Sequence, residues 1–123
     1  MEDYPDQDLT EKIIGAVFEV HNTLGVGFLE KVYQYALVKE LTLRGYLAQP
    51  EVKIPVYYKD TLVGDYSADI LVEKRIILEL KALSGLTGEH ESQLLNYLKA
   101  TGFSVGLLIN FGTSRVQIKR KIL

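Results

Sequence analysis

The segment "RIILELKAL", residues 75–83, decides how the rest of the sequence is interpreted. Its isoleucines and leucines are typical of a buried strand, but Glu79 and Lys81 interrupt them. Side chains two residues apart on a strand point to the same face, so Glu79 and Lys81 share one face and Leu78 and Leu80 the other. An unpaired charge in apolar surroundings is costly. The two charges therefore indicate either a cross-strand ion pair or a functional site.

Two more strands are predicted just before this segment. Apolar and polar residues alternate in "EVKIPVYY", residues 51–58, and in "GDYSADILV", residues 64–72. Short turns separate the three segments, which predicts an antiparallel meander. Pro55 favours an edge position for the first strand. On the second strand the alternation predicts one face that carries Tyr66, Ala68, Ile70 and Val72.

Helical spacing of apolar residues appears on both sides of these strands. It predicts one helix that ends near Gly25, a second over about residues 28–44 and a third over about residues 89–101. The apolar run "SVGLLINF", residues 104–111, predicts a strand covered on both faces. The basic "RVQIKRKIL" at residues 115–123 predicts a last, edge strand. The order is α-α-β-β-β-α-β-(β), an α/β fold with a mixed sheet flanked by helices.

Composition narrows the class of protein. The 123 residues predict one domain, with residues 1–7 as a flexible lead-in. Cysteine is absent, which excludes disulfides and thiolate metal sites. There is no apolar run long enough for a membrane span and no signal-peptide pattern, so we expect a cytoplasmic protein with no membrane partner. A net charge of −2 argues against tight passive binding of nucleic acid, but not against an enzyme that meets phosphates at a metal ion.

The strand before Glu79 carries a second carboxylate, Asp69. Whether Asp69 falls beside Glu79 depends on a register that the sequence leaves open. Two converging carboxylates repel each other unless a cation lies between them, and Mg²⁺ suits such oxygen ligands. Lys81 could then orient or deprotonate a water. The alternative remains an ion pair on a half-exposed meander.

Two helices contribute further candidates. Glu30 and Tyr33 are neighbours on the second helix, and Gln93 and Tyr97 on the third. An amide and a phenol together can hydrogen-bond phosphate oxygens, and a tyrosine can stack on a base. Glu30 could instead be an ordinary first-turn glutamate, and Tyr97 could pack against the rest of an amphipathic helix.

Four motifs in order carry a family resemblance: "LGVGFLEKVY", "ADILVEKRIILELKAL", "HESQLLNYLKATG" and "VGLLINFG". Together they resemble the GxxExxY protein family, a branch of the PD-(D/E)XK nuclease superfamily. The resemblance runs from Thr10 to Leu123 and implies a restriction-endonuclease-like αβββαβ core. It implies Mg²⁺, with Mn²⁺ as a substitute, as the cofactor of a nuclease.

The resemblance also implies residue roles. Catalytic roles fall on Asp69, Glu79, Lys81 and Glu30, and the implied metal ligands are Asp69, Glu79, Glu30 and the Leu80 carbonyl. The implied substrate contacts are Gln93, Tyr97 and Tyr33. Ala68 stands where the superfamily motif has proline, which is not a metal ligand.

Three hypotheses about function follow. The first is metal-dependent hydrolysis of phosphodiester bonds, with DNA favoured over RNA. The second is a catalytically silent module that binds nucleic acid or protein. In the third, the chain acts only within a homodimer or a larger complex that completes the substrate-binding surface.

Overall fold

The structure is a computed structural model that describes residues 6–123. Its helices are α1 (Gln7–Leu24), α2 (Glu30–Leu43) and α3 (Gly88–Thr101). Its strands are β1 (Ala48–Tyr58), β2 (Thr61–Val72), β3 (Ile76–Lys81), β4 (Val105–Asn110) and β5 (Gln117–Ile122). Of the predicted lead-in, residues 1–5 lie outside the described residues and Gln7 already belongs to α1. No helix within residues 6–123 is long and apolar enough to cross a membrane.

The five strands form one sheet in chain order. β1, β2 and β3 pair antiparallel, β3 and β4 pair parallel, and β4 and β5 pair antiparallel. The parallel pair requires a crossover, which α3 provides between β3 and β4. The predicted meander and the α/β fold with a mixed sheet flanked by helices are thus confirmed. Pro55 lies on β1, at one edge of the sheet, and the basic β5 forms the other edge.

Two hydrophobic cores cover the two faces of the sheet. α1 and α2 pack on one face, where Leu78 and Leu80 of β3 are buried. α3 packs on the other face, where Ile77 is buried with Leu94 and Leu98. Every residue of β4 is buried, as its apolar run predicts. Because Leu78 and Leu80 face α1 and α2, the alternation of the strand directs Glu79 and Lys81 towards α3.

Strand β2 does not keep one face along its length. Ala68 packs in the α3 core, whereas Ile70 and Val72 pack in the α1–α2 core. The prediction that all four residues share one face therefore holds for Tyr66 and Ala68, beside Tyr97 of α3, and is wrong for Ile70 and Val72. Beside this point on β1, Glu51 lies between the pairs Pro50–Ile70 and Val52–Ala68, and its φ of +53° departs from the regular pleat. The strand changes face at Asp69.

The end of β3 is fastened to the end of β4 by a buried side chain. Asn110 accepts the Leu83 N–H at 2.9 Å and donates to the Leu83 carbonyl at 3.0 Å, and it also accepts the Gly112 N–H at 3.0 Å. A Cβ atom on Gly112 would lie 2.7 Å from the carbonyl carbon of Ala82 and would collide with the Leu83 backbone. Only glycine lets the two segments approach this closely.

We expect Gly112→Ala to lower the free energy of unfolding by about 1–3 kcal/mol, because the added methyl group forces two backbones apart. Gly85→Ala is the matched control, since a Cβ atom there meets nothing within 4 Å. The control should change stability by less than about 0.5 kcal/mol. Urea unfolding measures both variants, and equal midpoints for the two would refute the close approach at Gly112.

Candidate active site

Strands β2 and β3 separate at the candidate site. Their ladder covers only three residue pairs and ends with Ile70 opposite Leu78. At the next position the side chains take over: the Leu80 N–H donates to Asp69 Oδ2 at 2.7 Å, and the Asp69 N–H donates to Glu79 Oε1 at 3.2 Å. The register that the sequence left open is thereby fixed. Asp69 and Glu79 lie side by side where the two strands fork.

The pKa of each of the two carboxyl groups is raised. Burial, followed by the charge of Asp69, raises the pKa of Glu79 to about 8, although the bond from the Asp69 N–H and the charge of Lys81 oppose this. Burial also raises the pKa of Asp69, against the bond from the Leu80 N–H and the charge of Lys81. Glu79 is only 4% exposed. A further positive charge at this place, beside that of Lys81, would favour the ionised form of both groups.

Lys81 lies on the same face of β3 as Glu79 and is half-buried. Its backbone carbonyl accepts the Phe111 N–H at 2.8 Å, which holds this end of β3 against β4. Within the described part of the chain, Lys81 forms no close ion pair. The ion pair that the sequence left as the alternative is therefore not observed among residues 6–123 for Glu79 or Lys81, either with each other or across strands.

Helix α3 brings an amide and a phenol towards this face. Gln93 is exposed and its Nε2 donates to the Tyr97 hydroxyl at 3.0 Å. Burial, and then the charges of Glu79 and Asp69, raise the pKa of Tyr97. The tyrosine thus lies near enough to both carboxylates to respond to their charge, with Gln93 at the solvent side.

Glu30 is the first residue of α2 and is exposed. Its charge contributes to the raised pKa of Glu79, after burial and the charge of Asp69. The N-terminal end of α2 therefore lies on the side of the fork. However, among residues 6–123 there is no group of three or more acidic, histidine or cysteine side chains placed to hold a metal ion. The structure brings Asp69 and Glu79 together and leaves Glu30 outside a close ligand group.

Tyr33 is fully buried beneath the α1–α2 loop. Its hydroxyl donates to the Gly25 carbonyl at 2.6 Å and accepts the Phe28 N–H at 3.3 Å, and its ring stacks on Phe111 at 4.6 Å. Between these bonds Gly27 has a φ of +113°, a conformation that favours glycine. This placement indicates that Tyr33 holds the loop before Glu30, and its ring has no exposed surface in the structure.

The residue that sequence reasoning missed is Gln34. It is buried, and its Nε2 donates to the backbone carbonyl of Asp69 at 2.9 Å. One turn earlier, Lys31 pairs with Glu51, the residue with positive φ opposite Asp69. The start of α2 therefore supports the break in β2 that presents the Asp69 carboxylate. A signal existed, because Gln34 shares helical spacing with the buried Leu37 and Leu41.

The donors at the fork fit a hard divalent cation. Asp69 and Glu79 supply carboxylate oxygens, and the Leu80 carbonyl lies on the same strand edge as the Leu80 N–H that bonds Asp69. Mg²⁺ and Mn²⁺ favour such oxygen ligands, usually with one or two carboxylates and several waters. A divalent cation bound there would offset the raised pKa values of both carboxyl groups.

The sheet order, the α3 crossover and the fork at Asp69 define a restriction-endonuclease-like fold with paired acidic residues between neighbouring strands. The chain belongs to the PD-(D/E)XK nuclease superfamily, whose family model matches residues 7–121. The crystal structure of the protein SSO0001 is similar in fold, with a TM-score of 0.58 and 21% identity. The match covers 95% of this chain and 58% of that chain, so this chain spans little more than half of SSO0001. No curated protein matches the sequence.

Proposed function

We propose that this protein is a metal-dependent nuclease that hydrolyses phosphodiester bonds, in DNA in preference to RNA. One observation carries the proposal: Asp69 and Glu79 are held side by side by backbone bonds at a strand fork, and both have raised pKa values. A buried carboxyl group beside a half-buried one, with no close cation among the described residues, costs stability, so stability alone does not explain the pair. Membership of a nuclease superfamily supports the same reading.

Each side chain at the fork receives a role in this proposal. Asp69, Glu79 and the Leu80 carbonyl would hold Mg²⁺ or Mn²⁺, with Glu30 reaching the ion through water. A divalent ion bound there would act as a Lewis acid that stabilises the charge developing on the phosphate. Lys81, on the same face as Glu79, orients the attacking water by hydrogen bonding and balances negative charge.

Helix α3 orients the substrate strand in the same proposal. Gln93 is exposed and bonds the Tyr97 hydroxyl, and in the proposal both polar groups bond phosphate oxygens next to the scissile bond. The hydrogen bond between them fixes their relative orientation before substrate arrives. Tyr33 and Gln34 do not touch the substrate in this proposal. Tyr33 holds the α1–α2 loop and Gln34 holds the Asp69 backbone by hydrogen bonds.

We further propose membership of the GxxExxY branch of the superfamily. The supporting residues are Gly27, with its positive φ, Glu30 at the start of α2, and Tyr33, which closes the loop between them. The three residues thus form one structural unit at the loop before the site. Action within a homodimer or larger complex and a cytoplasmic location stay predictions.

The test is hydrolysis of single-stranded DNA, double-stranded DNA and single-stranded RNA by the purified chain with Mg²⁺ or Mn²⁺. We expect cleavage of at least one DNA substrate and none in EDTA. Cleavage that persists in EDTA would exclude metal dependence. If no substrate is cleaved, the alternative of a catalytically silent binding module gains support.

A further inference from the structure

A groove of about 590 Å³ lies next to the candidate site, between the β1–β2 hairpin and α3. The hairpin side contributes Tyr57 and Tyr66, and the α3 side contributes Asn96 and Lys99. The remaining lining residues are Pro55, Val56, Val63, Gly64 and Ala100. Among the described residues that line it, none is acidic, although the whole chain is acidic.

The groove is continuous with the site through one pair of rings. The Tyr66 ring lies 5.2 Å from the Tyr97 ring, and Tyr97 bonds Gln93. Asn96 is three residues after Gln93 on α3, and Lys99 is three residues further, so Asn96 is a helical neighbour of both Gln93 and Lys99. Asn96 thus lies between the amide of Gln93 and the lysine of the groove along the helix.

The hairpin stands away from the sheet at this place. β2 pairs with β3 only over Ile70–Val72, so the earlier part of β2 forms a two-stranded ribbon with β1. A register shift between Val56 and Tyr57 leaves Tyr57 in the groove wall, with 63% of its surface exposed. An exposed tyrosine in a groove with a lysine and an amide offers a stacking face, a phosphate contact and a polar contact to a base edge.

We propose that this groove binds the unpaired nucleotides of a single-stranded nucleic acid next to the cleaved bond, with a base stacked on Tyr57 and a phosphate at Lys99. The proposal rests on the proposed nuclease function and names its substrate class. A base inside a duplex has both faces covered by its neighbours, so only an unstacked base can use the tyrosine ring. Single strands and frayed ends are therefore the substrates that the groove selects.

The experiment is fluorescence anisotropy with the full chain in EDTA, so that binding is measured without hydrolysis. The probe is a short fluorescein-labelled oligodeoxythymidylate, compared with its blunt duplex and with an abasic strand of equal length. We expect Tyr57→Ala to weaken binding of the oligodeoxythymidylate by about five- to tenfold and to leave the abasic strand unaffected. The slope of the logarithm of the binding constant against the logarithm of the salt concentration should become less steep by about 0.7 in Lys99→Ala. This is the contribution of one phosphate contact in a single strand.

Tyr58→Ala is the matched control, because Tyr58 is 64% exposed on the same strand but does not line the groove. We expect it to bind like the wild type. Equal losses in the Tyr57 and Tyr58 variants, unchanged binding in the Tyr57 variant, or no binding of the single strand by wild type would each overturn the proposal. Tighter binding of the duplex than of the single strand would overturn it as well. None of these outcomes depends on hydrolysis, so the binding experiment can refute the proposal about the groove independently of the proposal of nuclease activity.

Discussion

Asp69→Asn is expected to reduce DNA hydrolysis by about 10³-fold without unfolding the protein. An asparagine oxygen can still accept the Leu80 N–H, so the fork between β2 and β3 keeps its hydrogen bond. What is lost is the negative charge that would hold the metal ion. Single-turnover cleavage of labelled DNA with Mn²⁺ measures the rate, and thermal melting of the variant checks the fold.

Asp65→Asn is the control for this variant, because Asp65 lies on the same strand but is exposed and paired opposite Pro55. It should cleave at the wild-type rate. Lys81→Met should lose activity to a similar extent as Asp69→Asn, since methionine keeps the apolar stem and removes the charge. Full activity in the Asp69 variant would mean that hydrolysis occurs elsewhere or comes from a contaminant.

Above about pH 8, the metal-free Glu79→Gln variant is expected to be more stable than the metal-free wild type, by several kcal/mol. The pKa of Glu79 is raised from 4.5 to about 8, so the folded state holds a proton that the unfolded state has released over that range. Each pKa unit corresponds to about 1.4 kcal/mol. The stability from the protonated carboxyl is complete below about pH 4.5 and is lost as the pH rises to about 8.

The glutamine carries no charge at any pH and its Oε1 can still accept the Asp69 N–H. The free energy of unfolding of the variant should therefore fall much less than that of the wild type between about pH 4.5 and 8. Urea unfolding of both proteins in EDTA, across this pH range, gives the comparison. If the wild type were stabilised by an ion pair between Glu79 and Lys81, the variant would be less stable at pH 8, which is the opposite result.

Much of the fold follows from local pattern. β4 is apolar at every position because both of its faces are covered, and that property is visible in "SVGLLINF" without any partner. Gly25 and Gly102 end α1 and α3 with positive φ, as their positions predict. The connections of β1, β2 and β3 are short, so their antiparallel pairing follows as well.

The change of face in β2 could not be predicted from the strand itself, because alternation places Ala68 and Ile70 on one face. The features that accompany the change, the positive φ of Glu51 and the bond from Gln34 to the Asp69 carbonyl, lie on other elements. The types of residue at the site could be predicted from the sequence, but the distances between these residues could not. Gln34 and Asn110 were missed since a polar residue in an apolar stripe or strand does not reveal which backbone group it bonds.

Calorimetric titration with Mn²⁺ shows whether Asp69 and Glu79 form a divalent-ion site. We expect saturable binding to the wild-type chain and to Asp65→Asn, and binding weaker by about 10-fold or more in Asp69→Asn. Mn²⁺ should also raise the melting temperature of the wild type in proportion to its binding. Absence of Mn²⁺ binding to the wild type, or equal binding by Asp69→Asn, would refute a divalent-ion site at the fork.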